Sequence, residues 1–369
     1  EMGRVSQTEN YLFVVVTGIP NPVPTASVPW VSHIYKYNLQ NYTVVDKGQL
    51  PTEGPCFPTC EPGNGQERAL GWTVSPLDNS GNLNIIHGNT APVFLSSNAL
   101  DDNACLWNDV TGTYWSCRIH VDIHYITFSP DGKTVWVGSD GGVFRGDINN
   151  LLSSWQEMDN GLSVATIHNI SITDQNAEIA TSGQYDNGSN IYTKTGDIWN
   201  PQHVLNGDGF QTIIDYTDPN TMFFSSQYGG IMRISNGNLY NAGNGLNQYN
   251  THWHTYYIMN STDPNTLYVS GNGFRRTTNQ GSAWQLWSNF SGVTDQATWR
   301  IATSPINSDY LYVSWIGDQS QQQRIYKSIT GGGTNSSNWV NVSGWVDNDG
   351  LPIKKWINSI AVDYEDPDI

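Results

Sequence analysis

Short apolar runs recur along the chain, set off by Gly, Asn, Ser, Thr and Pro, while long Lys/Glu/Ala/Leu stretches suited to helices are absent. Five of these runs end in a small residue at a fixed interval: "TVWVG" at Gly138, "EIATS" at Ser182, "TMFFSS" at Ser226, "TLYVS" at Ser270 and "YLYVS" at Ser314. The steps are 182−138, 226−182, 270−226 and 314−270, each 44 residues. Before most of them lies another apolar run joined by a turn sequence, as in "YITFSPDGK", "TIIDYTDPN" and "YYIMNSTDPN". After them comes a third run of apolar, aromatic and basic character, in seven copies: "HIYKYN", "PVFLSS", "GVFRGD", "NIYTKT", "GIMRIS", "GFRRTT" and "RIYKSIT". A fourth, often bearing Trp, closes each unit, as in "SWQEMDN" and "AWQLWSN".

Four short strands repeated every forty-odd residues predict an all-β chain, a seven-bladed β-propeller of four-stranded antiparallel blades forming a single domain over residues 1–369. The first blade reads as starting at its second strand, "YLFVVVTG", and the chain finishes with "KWINSIAVDYEDPDI", a first strand and turn. The C-terminal strand is therefore expected to complete the N-terminal blade, which would leave no open sheet edge; an eighth blade is the alternative if the natural chain runs on.

Composition narrows the partners. With 16 basic against 33 acidic residues, the net charge is −17, which repels nucleic acid and anionic bilayers. The longest apolar run, Tyr11 to Val16, is far too short to span a membrane, and "EMGRVSQTEN" has no leader character. Four cysteines in two close pairs, Cys56/Cys60 and Cys105/Cys117, favour disulfides in an oxidising compartment over a zinc site, and the two local pairings are the expected connectivity.

In "TTNQGSAW", Thr277, Asn279, Gly281 and Trp284 follow the Asp-box pattern Ser/Thr-x-Asp-x-Gly-x-x-Trp, with Asn in the Asp place. With "HVDIHYITFSPDGKTVWVGSDGGVFRG", "SGQYDNGSNIY" and "LNGDGFQTIIDYTDPNTMFFSSQYG", the chain resembles secreted Asp-box (BNR-like) propeller modules of large bacterial surface proteins, many of them exported by the type IX system. That resemblance implies a propeller, a secreted or cell-surface location and a place within a longer chain or assembly. Sialidase chemistry, which the superfamily includes, would need several arginines on one carboxylate. This chain has nine arginines, four of them (Arg145, Arg233, Arg275, Arg276) on third strands, and no Arg-Ile-Pro signature.

Antiparallel order sends the turns after second strands and the entries to first strands to one face, where irregular loops carry the candidate chemistry. On an extended strand His120, Asp122 and His124 would share a side, a geometry able to chelate zinc. The recurrence of a histidine one repeat on, at His168, and of His252 and His254 in blade six, fits blade-to-blade packing instead. Asp140, Asp186 and Asp208 stand in glycine-flanked turns and suit either turn chemistry, calcium ligation or an acid–base pair. Of the rings, Trp30, Tyr114, Trp115, Tyr185, Tyr228, Trp253, Trp299 and Trp315 fall in or beside these loops, with His254 and Arg300 adjoining.

These features predict an extracellular, non-catalytic recognition or scaffold module for a glycan or a surface protein. His120, Asp140, Tyr185, Asp186, Tyr228, Trp253, His254, Trp299 and Arg300 are its ligand-binding candidates. The alternative is a polysaccharide-degrading hydrolase or lyase using Asp122, Asp208 and His124, and calcium or zinc is the cofactor either version could carry.

Overall fold

Each repeat becomes one sheet. The computed structural model describes residues 2–7, 11–18, 31–51, 71–77, 82–88, 93–111, 118–120, 122–161, 165–290, 297–316, 324–343 and 357–368. Within them the chain forms seven four-stranded antiparallel sheets, each joining its strands in chain order, with one four-residue α-helix, Leu151–Ser154. The first strands of blades two to seven are Gly71–Val74, Ile123–Phe128, Ile167–Ile172, Thr212–Ile214, Tyr257–Met259 and Thr298–Thr303. The fold is all-β with seven four-stranded blades. Trp30, Tyr114, Trp115, Cys56, Cys60 and Cys117 lie outside the described residues.

The N-terminal blade departs from the expected arrangement. Met2–Gln7 pairs antiparallel with Tyr11–Gly18, so this blade supplies its own first strand. A strand three residues away in sequence closes a far shorter loop than the opposite end of the chain would. The C-terminal segment, residues 357–368, forms no strand and is tied to blade seven: Arg300 Nε donates to the Asn358 carbonyl at 2.6 Å, the Tyr312 hydroxyl to the Pro367 carbonyl at 2.7 Å, and Lys327 pairs with Asp368. It keeps the turn chemistry of a first strand, for Asp363 Oδ1 accepts from the Glu365 N–H at 2.7 Å as Asp215 Oδ1 does from the Thr217 N–H at 2.7 Å.

The chain divides into two compact units, Glu1–Val164 with blades one to three and Ala165–Ile369 with blades four to seven. In each, the apolar cores lie between successive blades, and strand alternation decides which core a residue joins. Ile85 packs with Phe13, Val15 and Ile34 of blade one, whereas its neighbour Ile86 packs with Ile123 and Ile126 of blade three. In the second unit Phe223 joins Tyr257 and Leu267 of blade six, and Phe224 joins the core that takes in Ile179 and Ile191 of blade four. Second strands covered on both faces thus read as continuous apolar runs. Each large side chain so buried contributes about 1.5–3 kcal/mol.

Tryptophans fasten neighbouring blades. Trp155 Nε1 donates to the Val110 carbonyl at 2.8 Å, and Trp284 Nε1 to the Ala242 carbonyl at 2.8 Å. The turn before Trp284 is closed by Asn279 Oδ1, which accepts from the Ala283 N–H at 3.0 Å, and by Thr277 Oγ1, which accepts from the Gly281 N–H at 3.1 Å.

Blades one and two are also joined by two buried ammonium groups. Lys47, fully buried, donates to the carbonyls of Asn98 (2.8 Å), Asp101 (3.1 Å) and Asn103, and pairs with Asp101 Oδ1 at 2.9 Å. Lys36 donates to the carbonyls of Leu100 (2.5 Å) and Asp101 (2.6 Å) and pairs with Asp102 at 2.8 Å. Lys47 holds the Asp101 carboxyl down at about 2. Cys105 follows this loop as a buried free thiol in the core beside Leu50, Trp72 and Ile85, so it is not bridged to Cys117; burial pushes the thiol up.

Removing the buried Lys47 ammonium takes away the donor shared by three carbonyl oxygens and the Asp101 carboxylate. Lys47→Ala is expected to destabilise the protein by about 1.5–3 kcal/mol, read as a lowered urea midpoint.

Candidate functional site

Four first strands, Met2–Gln7 among them, carry a β-bulge at their heads, and the bulges of blades three, four and seven carry candidate residues. In blade three Ser139 faces Ile123 but Gly138 faces Tyr125, so His124 is the extra residue. In blade four Gln184 faces Ile167 and Gly183 faces Asn169, so His168 is extra. In blade seven Thr298 faces Trp315 and Ile301 faces Val313, which places Trp299 and Arg300 opposite Ser314 alone. A bulge breaks the two-residue alternation and re-aims the side chain it contains.

The same local break overturns the expectation that His120, Asp122 and His124 project from one extended strand. Asp122 has φ +59° and the strand begins only at Ile123. Asp and Asn tolerate this left-handed conformation better than other side-chain-bearing residues. These three residues nevertheless come together with Asp140 around the turn after the second strand. His124 Nε2 pairs with Asp140 Oδ1, the Asp140 N–H donates to the Asp122 carbonyl at 3.3 Å, and His120 packs over Gly141, where a Cβ would stand 2.2 Å from its ring.

In the second unit the heads of four successive first strands bring their rings into one cluster. Phe210, fully buried, is the floor. His254 stacks on it at 4.5 Å between centroids, Trp253 meets it edge-on at 4.9 Å and His168 at 5.1 Å. His168 also lies 5.1 Å from His254 and 5.3 Å from Tyr185, and Trp299 lies 5.9 Å from His254. Tyr185 and Trp253, 5.9 Å apart, remain 37% and 39% exposed, and Tyr228 is 43% exposed. These are rings on a packed floor with their outer surfaces in solvent. Trp315 differs: it is 1% exposed and belongs to the core of blade seven.

Close backbone packing makes the cluster rigid. A Cβ on Gly183 would stand 1.9 Å from the Phe210 carbonyl oxygen, so only glycine lets blade five come this near blade four. Tyr228 occupies φ +53°, held by its N–H on the Trp253 carbonyl at 3.2 Å. For a bulky residue this conformation costs about 1–3 kcal/mol and persists where the surroundings fix it.

Asp208, expected as a general acid or base, is 7% exposed. Its Oδ1 accepts from the Asp186 N–H at 3.0 Å and its Oδ2 from the Gln227 side-chain amide, so it braces the turn that carries Tyr185 and Asp186. Asp186, at φ +60°, relies on that brace.

Electrostatics keep the cluster neutral. Burial lowers His254 to about 4, assisted by repulsion from His168, Arg300 and His252. Burial also lowers His168, against a small opposing pull from Asp208. His252 Nε2 donates to the Thr298 carbonyl at 2.7 Å. Burial pushes the Arg300 guanidinium down from its usual value as well; it lies 4.7 Å from the Trp299 ring and 4.9 Å from that of Tyr256.

Tyr185, Trp253, His254 and Trp299 are thus united in one cluster, with Tyr228, Asp186 and Arg300 around it, while His120, Asp122, His124 and Asp140 gather in blade three. Sequence reading missed Phe210 as the floor, and the blade-to-blade packing it read for His168 is seen against that ring. The repeat offered a signal, since 254−210 and 168−124 are both 44.

Two outcomes follow from this geometry. Asp208→Ala removes the acceptor shared by the Asp186 N–H and the Gln227 amide, both partly buried, and is expected to cost about 1–3 kcal/mol in a thermal or urea melt. Because His254 titrates near 4 when folded and near 6.5 when unfolded, the unfolded chain binds more protons between those values. Stability should therefore fall as pH drops from 6.5 to 4, and His254→Phe should show a smaller change in urea midpoint over that window than the parent.

No protein-family model matches the chain, and no curated protein matches it. Among solved structures it is similar to a Bacteroides fragilis protein described as a candidate 6-phosphogluconolactonase, at 11% identity over 90% of this chain and 94% of that one, with a TM-score of 0.29. A chain of the mitotic checkpoint complex is similar at 9% identity over 93% of this chain and 78% of that one, TM-score 0.33. The β-propeller domain of Myceliophteria thermophila Cps50 (Swd1) is similar at 11% identity over 70% and 84%, TM-score 0.35. The fold is accordingly read from the seven sheets themselves.

Proposed function

We propose that the chain is an extracellular recognition module of a larger secreted or surface protein, and that residues 165–369 bind a glycan on the ring cluster of blades four to six. The observation that carries this reading is the exposure of Tyr185, Trp253 and Tyr228 above a fully buried Phe210. Aromatic faces pack on the C–H surfaces of pyranose rings, and amphipathic rings held by a rigid scaffold lose little entropy on binding. The neighbouring histidines are neutral near pH 7, which suits sugar hydroxyls. The acidic, asparagine-rich composition supports an extracellular setting. Commitment of Asp208 to the Asp186 turn favours binding over hydrolysis, since both of its carboxylate oxygens already accept hydrogen bonds.

On a panel of plant and marine oligosaccharides, Trp253→Ala and Tyr185→Ala are each expected to weaken binding about tenfold in calorimetry, equivalent to about 1.4 kcal/mol, with little change in melting. Glycan affinity unaffected by both changes, or binding of a protein partner in place of any glycan, would overturn the proposal.

A further inference from the structure

Beside the ring cluster stands a cation that pairs with no anion among the described residues. Arg300 shares the blade-seven bulge with Trp299. Its backbone N–H donates to Ser314 Oγ at 2.7 Å and its Nε to the Asn358 carbonyl at 2.6 Å. The guanidinium lies near the Trp299 and Tyr256 rings, so its orientation is fixed by two rings and one hydrogen bond. Neither Nη group donates to a described residue. The ion pairs among the described residues involve lysine or histidine and none involves Arg300, although acids outnumber bases 33 to 16 in the chain.

Resting on the glycan-binding reading, we infer that Arg300 is the specificity-determining residue of this site and recognises an oxyanion substituent, a uronate carboxylate or a sulfate ester, on the bound oligosaccharide. With Nε occupied, the two Nη groups form the edge left for a planar or tetrahedral oxyanion, which guanidinium grips with paired N–H donors. The flanking rings shed water from that edge, which strengthens a charge-assisted bond. Trp299 connects it to the cluster through His254, so a chain of sugars resting on Trp253 and Trp299 brings one substituent to Arg300. The net charge of −17 sets the preference toward a sugar bearing one or a few such groups, because a dense polyanion is repelled.

Calorimetry with three oligosaccharide probes of equal length, cello-oligosaccharide, oligogalacturonate and a sulfated galactan oligomer, tests the assignment. The intact protein should bind at least one anionic probe about tenfold more tightly than the neutral one at low salt, and lose that preference in about 1 M salt. Arg300→Gln should remove the preference and its salt dependence, so that anionic and neutral probes bind the variant with equal affinity. Arg300→Lys, which keeps the charge without the fork, should retain part of it and serves if the Gln variant melts early. Which anionic probe is preferred separates carboxylate from sulfate. Equal affinity for neutral and anionic probes, or a preference that survives Arg300→Gln, would overturn the assignment and leave the glycan-binding reading standing. Failure of all three probes to bind overturns both.

Discussion

A sheet of four short strands has two faces and little else to bury, so no blade of this chain is stable by itself. Burial between successive blades is the constraint on which the rest depends. It dictates that second strands be apolar on both faces, as in "IIHG" and "TMFF", and that adjacent residues such as Phe223 and Phe224 serve different cores. The tryptophan N–H bonds from Trp155 to Val110 and from Trp284 to Ala242 fix the spacing that this burial requires. An indole supplies both the apolar area and the single directed donor, which is why the fourth strand so often carries one.

Where burial stops, the sheets become free to present chemistry. The heads of the first strands are such places. A strict alternation would send every second side chain there into an interblade core, and the bulges at His124, His168 and Trp299–Arg300 interrupt it. In blade three the outcome is a pair, His124 with Asp140. In the second unit it is a ring cluster with Phe210 beneath and solvent above. The same structural device therefore gives a hydrogen-bonded His–Asp pair in one place and a cluster of partly exposed rings in another.

Charge is handled by enclosure. In a chain this acidic, Lys36 and Lys47 are drawn inside and surrounded by carbonyl oxygens of residues 98–103, where they fasten two blades. Arg233 and Arg276 lie against Tyr240 and Trp287, their flat groups stacked on rings as third-strand neighbours. Arg300 is held in the same way but beside the exposed rings, and the recognition role proposed for it rests on that position.

By itself the sequence determined the blade. Strand period, the 44-residue repeat and the Asp/Pro/Asn/Gly turns are local properties of the chain, and they specify seven four-stranded units because hydrogen-bonded hairpins form between segments near in sequence. It also marked Tyr185, Trp253, His254 and Trp299 as lying in loops of one kind. Only the tertiary structure decided that Met2–Gln7 completes the first blade, that Asp208 is a buried brace, that Trp315 is core and that Phe210 is the floor under the rings. Those outcomes depend on which segment reaches a given place first and on how backbones approach, as at Gly183 against Phe210. A bulge shifts a side chain by one residue without altering the apolar pattern, so the residues it re-aims cannot be told from their neighbours until the strand is paired.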